Sequence, residues 1–227
     1  MAVGAEGPLR LLLYPYLVVA FALMVTVLHH RALRRGRPEL RAVLLYFLAF
    51  ALLFLALPLL IVYLCAGDAA AFLRAAGLAP GRVGRGLALT AAALPFCLLA
   101  AFVGSRHPGM RAQYPLAKEA CRVPAVFIVY EAAYLFLYYL PWEFLYRGLL
   151  FLALVPVLGL LPALALQTVV STLHHAGHPD VEIWAAGGAG LVFGMVAWVT
   201  ASFLYTAIIH AVAGIATDTL LCRRSRG

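Results

Sequence analysis

Three groups of ionisable residues sit inside otherwise apolar stretches of this chain, and each has a spacing that suits chemistry. Glu143 and Arg147 stand four residues apart, which puts both on one face of a helix with the acid on the N-terminal side, the better order for an ion pair. His174 and His175 close an apolar run, with His178 and Glu182 just beyond. His210, Gly214 and Asp218 follow at successive steps of four, so an imidazole and a carboxylate flank a position with no side chain. Charges in hydrocarbon cost several kcal/mol, roughly, and are kept where they pair or work. A buried carboxylate beside imidazoles is the equipment of general acid–base hydrolysis near neutral pH.

Each group also has a plainer reading. Glu143 and Arg147 fit a structural salt bridge between helices equally well. A histidine at a membrane boundary can simply be solvated, and for His178 a solvated ring is the expectation. Tyr130, Tyr134 and Tyr138 form a stripe that suits an inter-helix face better than a binding box, and Ala186, Gly190 and Gly194 repeat at the small-xxx-small spacing of closely packed membrane helices.

The elements that must carry these residues are membrane spans. The chain has 227 residues, 65% of them hydrophobic and only 11% charged, too little polar surface for a soluble domain of this length. The expected fold is all-α, a polytopic transmembrane helix bundle of about seven to eight spans. Residues 1–122 are expected to hold three of them, Leu9–Leu28, Ala42–Cys65 and Leu87–Val103, with a short interfacial helix around Phe72, Leu73 and Arg74. The first is read as a retained span, because no small-residue cleavage site follows it. Residues 123–222 form the core region and 223–227 a basic tail.

The net charge of +8 collects in clusters between apolar runs, at Arg31 to Arg41, Arg106 to Arg122 and Arg223 to Arg226. That is a topology signal that also meets lipid headgroups, not the basic face that nucleic acid requires. It puts the N-terminus outside and both the Ser105–Arg122 loop and the C-terminus in the cytoplasm, which demands an odd number of crossings. With Pro141 taken to separate Pro124–Leu140 from Trp142–Val155, eight crossings result, and the parity conflicts. Cys65, Cys97, Cys121 and Cys222 have no close spacing, so they are read as packing residues rather than a disulfide framework. No H-E-x-x-H, Cys/His ligand cluster or G-x-S-x-G is present. A divalent metal such as zinc held by Glu143, His175 and His210 is conceivable, though no motif requires it. Internal repeats, expected of a small transporter, are absent.

Taken together, the segments Trp142-Glu143-Phe144-Leu145-Tyr146-Arg147-Gly148, Ser171-Thr172-Leu173-His174-His175 and His210-Ala211-Val212-Ala213-Gly214 resemble the CAAX protease and bacteriocin-processing family, relatives of the Ras-converting prenyl-protein endopeptidase. That family shows E-E-x-x-x-R, F-x-x-x-H and H-x-x-x-N on three helices. Here Trp142 replaces the first glutamate, Ser171 the phenylalanine and Gly214 the asparagine, the form of a divergent Trp-Glu-x-x-x-Arg branch. The resemblance implies an intramembrane endopeptidase, multi-pass in a bacterial cytoplasmic membrane, acting on a membrane-associated or lipid-modified protein or peptide. It implies Glu143, Arg147, His175 and His210 as catalytic residues, and Asp218, Gly214, His174 and Glu182 as substrate-binding ones. In this reading Glu143 activates a water that His175 also holds, Arg147 orients the carboxylate, and His210 polarises the scissile carbonyl. The alternative is a catalytically degenerate member that binds or scaffolds membrane partners.

Overall fold

The computed structural model describes residues 7–224, and every regular element among them is helical. Six helices are long and apolar enough to cross a membrane: α1 (Gly7–Thr26), α2 (Glu39–Cys65), α3 (Val83–Gly104), α4 (Pro124–Leu158), α6 (Asp180–Thr200) and α7 (Leu204–Arg224). Between α4 and α6 lies the shorter apolar helix α5 (Leu160–Leu173). The all-α bundle is as expected. A short helix, Ala69–Ala75, also forms where an interfacial one was read, with the Asp68 carboxylate accepting from Ala71 N at 2.8 Å as its N-cap.

Pro141 does not divide α4. A proline inside an α-helix lacks one donor and its ring collides with the carbonyl four residues earlier. Residues Leu135–Tyr139 are wound as π-helix just ahead of it, and Phe144–Leu152 again behind it, and such widened turns relieve that collision. The same device precedes Pro58 in α2, where Leu52–Ala56 is π-helical. The two segments read as separate spans are thus one helix of 35 residues.

That joining removes the parity conflict, because seven helices now run between two opposite faces. On one face Arg31 donates to Gln113 Oε1 (2.9 Å) and to the Gly177 carbonyl (3.1 Å), and Arg224 to the Ser105 carbonyl (3.0 Å). The loops after α1, α3 and α5 and the end of α7 therefore meet there, as the basic clusters require. On the other face Arg82 N donates to Thr200 O (2.7 Å) and Tyr205 Oη to Pro80 O (2.7 Å), joining the loops after α2 and α6. Of the basic tail, Arg223 and Arg224 end α7, and residues 225–227 lie outside the described ones.

One expectation about the cysteines fails. Cys121 and Cys222 form a disulfide with their Cα atoms 5.4 Å apart, while Cys65 and Cys97 are free. The partners are 101 residues apart in sequence and meet only because the turn Lys118–Arg122 packs beside the end of α7. Local spacing carries no trace of that.

The core is aromatic, and it is the tyrosine stripe that builds it. Tyr134 stacks on Phe47 at 4.5 Å between ring centroids, and Tyr138 lies 4.4 Å from Phe50, so α4 is fixed against α2. Ring pairs of this kind contribute about 0.5–1.5 kcal/mol each beyond simple burial. The small-residue stripe of α6 faces α5 as expected: a Cβ at Gly190 would meet Thr168 at 2.9 Å, and one at Gly194 would meet Leu164 and Gln167.

Candidate active site

α4 enters the middle of the bundle with Glu143 and Arg147 on its inward face, both buried. Glu143 has no exposed surface at all. α7 brings His210 to it: Nδ1 lies 2.8 Å from Glu143 Oε1. The Arg147 Nε stands 3.2 Å from Oε2, close enough to pair as an ion. It is not aimed along a hydrogen bond, however, so Oε2 and the Nε and Nη1 of Arg147 have no hydrogen-bond partner among the described residues. The guanidinium also faces the Phe193 ring of α6 at 5.4 Å, within cation–π range.

Exposure separates the two members of this pair. The His210 side chain is 24% exposed and the Glu143 side chain 0%. A carboxylate that accepts at Nδ1 fixes the imidazole tautomer with the proton on that nitrogen, leaving the Nε2 lone pair as the reactive position.

His175 does not join them directly. Its Nδ1 donates to the Ser171 carbonyl at 2.8 Å, and its Nε2 lies 4.0 Å from Glu182 Oε1. The Trp142 ring packs edge-to-face against both histidines, 5.1 Å from His175 and 6.0 Å from His210. The tryptophan at the first-glutamate position therefore adjoins both imidazoles.

The remaining sequence candidates take other places. His174 is buried in a box of Phe21, Phe50, Phe54 and Trp142 and is hydrogen-bonded to Tyr146 Oη at 2.6 Å. Glu182 accepts from Tyr114 Oη and pairs with His178 Nδ1 at 3.0 Å, so His178 is partnered rather than solvated. Gly214 does not open a gap: the Tyr139 hydroxyl occupies the position its Cβ would take. Asp218 lies two turns beyond His210 and accepts from Tyr130 Oη at 3.2 Å. Among the described residues no group of three or more His, Cys, Asp or Glu side chains is arranged to hold a metal ion.

Two residues escaped the sequence reading. Tyr139 packs on His210 at 4.7 Å between centroids, and its place one turn before Glu143 was the available signal. Glu131 is buried with neither carboxyl oxygen hydrogen-bonded among the described residues, and only its presence in an apolar segment marked it.

Residues 124–216 match the model of a protein family, type II CAAX prenyl endopeptidase Rce1-like. The resemblance drawn from the three motifs is thereby borne out. The matched segment runs from the start of α4 into α7 and takes in Glu143, Arg147, His174, His175, His210 and Gly214, whereas Asp218 and the first three helices lie outside it. No curated protein and no solved structure matches the chain.

Proposed function

We propose that the protein is an intramembrane endopeptidase that hydrolyses a peptide bond in a membrane-associated or lipid-modified protein, with Glu143 and His210 as its working pair. The observation that carries this reading is the 2.8 Å contact between a fully buried carboxylate and a partly exposed imidazole, inside the segment that matches a protease family.

The difference in exposure supports His210 rather than Glu143 as the base that meets water. Its Nε2 takes a proton from a water molecule as the oxygen attacks the scissile carbonyl carbon, giving a tetrahedral intermediate. The same nitrogen then returns the proton to the departing amide nitrogen, and the C–N bond breaks to leave a carboxylic acid and an amine. Glu143 holds the ring in the required tautomer and stabilises the imidazolium formed in between. Arg147 Nε, 3.2 Å from Oε2, supplies the counter-charge beside that buried carboxylate. Its unpartnered Nη1 and the free Oε2 are polar groups that a water or a peptide backbone would satisfy. In this reading His175, whose ring lies against the Trp142 ring at 5.1 Å, contacts the substrate.

Trp142 favours a second reading. Without the first carboxylate of the family motif the protein would bind a membrane partner and cleave nothing. One experiment separates the two: incubate the purified protein in detergent with a panel of membrane-tethered peptides, comparing wild type with Glu143→Gln and His210→Gln. A protease gives products that both variants lose. A scaffold gives no product from any form, and its partner binding survives both substitutions.

A further inference from the structure

On the face that gathers the basic loops, the beginnings of α2 and α4 and the turn Lys118–Arg122 enclose an open groove of about 620 Å³. Its walls are Leu44, Leu45 and Leu48 of α2 with Val123 opposite, and Arg41 and Arg122 stand at its mouth. Leu45, Leu48 and Val123 are exposed, and so are both arginines.

The arginines are placed where helix physics disfavours them. Arg41 lies in the first turn of α2, and Arg122 comes two residues before Pro124, where α4 starts. Helix N-termini carry partial positive charge, so a cation there is repelled. The nearby acids are engaged elsewhere. Glu119 also lines the groove but accepts from Leu40 N, and Glu39 pairs with Arg34 at 2.8 Å while accepting from Lys118 N at 2.8 Å. Among the described residues neither Arg41 nor Arg122 has a hydrogen-bond or ion-pair partner. Two uncompensated cations thus stand above an apolar wall. From Arg41 that wall descends the α2 face through Leu44 and Leu45 to Leu48, roughly 10 Å of axial rise.

We propose that this groove binds one phospholipid with an anionic headgroup, its phosphate between Arg41 and Arg122 and an acyl chain along Leu44, Leu45 and Leu48. Charge complementarity at the mouth selects the headgroup, and the apolar wall below it requires a lipid tail rather than a free anion. The site is independent of the proposed proteolysis.

The test is native mass spectrometry of delipidated protein in detergent, titrated separately with phosphatidylglycerol and phosphatidylcholine. Two membrane-boundary arginines are expected to give about a 30-fold preference for phosphatidylglycerol. That preference should vanish in Arg41→Gln/Arg122→Gln and persist in Arg85→Gln, whose arginine lies at the start of α3 on the opposite face. Leu48→Trp, which fills the groove and leaves both charges, should also remove it, and it decides the matter should the double variant misfold. Equal binding of the two lipids by wild type would overturn the proposal. So would an unchanged preference in Leu48→Trp, or displacement of bound phosphatidylglycerol by excess glycerol phosphate.

Discussion

The Tyr139 hydroxyl fills the space beside Gly214 that any other residue's Cβ would occupy, and the same tyrosine ring lies 4.7 Å from His210. The glycine in α7 thus lets α4 and α7 approach closely enough for Glu143 to reach His210.

Gly214→Ala should therefore push Tyr139 away and disturb the imidazole behind it. Overpacking of a filled site costs about 1–3 kcal/mol. A lower melting temperature in detergent is expected, with weaker peptide cleavage. Adding Tyr139→Phe, which removes the clashing oxygen, should restore part of both.

Arg147 Nε pairs with Glu143 Oε2 at 3.2 Å, and both side chains are essentially buried. Removing one partner of a buried pair strands the other charge, a loss of about 3–5 kcal/mol. Arg147→Met should unfold at clearly lower denaturant than wild type. Arg147→Met/Glu143→Gln should recover much of that loss, because the stranded carboxylate is gone. Unfolding followed by intrinsic fluorescence would show whether it does.

The Cys121–Cys222 link closes a loop spanning 101 residues and ties the α3–α4 connection to the end of α7. Non-reducing peptide mapping of the purified protein should recover the linked pair. Cys222→Ser should lower stability by about 2–4 kcal/mol, measured as a shift in unfolding midpoint, with little effect on cleavage because neither sulfur belongs to the Glu143–His210 group.

Much of this was legible in the sequence because it depends on local pattern. Spans announce themselves by length and apolarity, and the three motifs single out Glu143, Arg147 and His210, whose side chains meet in the fold. The short helix near Phe72 and the glycine stripe of α6 were equally plain. What could not be read depends on distant packing. Pro141 looks like a break until widened turns are seen to carry the helix through it. His178 looks solvated until Tyr114 arrives from the α3–α4 connection and Glu182 turns back from the first turn of α6, and Gly214 looks like an opening until Tyr139 fills it. The disulfide joins positions that share no local signal.

The central claim is that Glu143 and His210 act as one unit. The most direct measurement is a double-mutant cycle on cleavage of a membrane-tethered peptide by reconstituted protein. Glu143→Gln and His210→Gln should each lower kcat by about 10²–10⁴-fold, and the double variant should be little worse than the more damaging single one, since residues working as a unit are strongly non-additive. Wild-type rates in either single variant, or losses that simply multiply in the double, would contradict it.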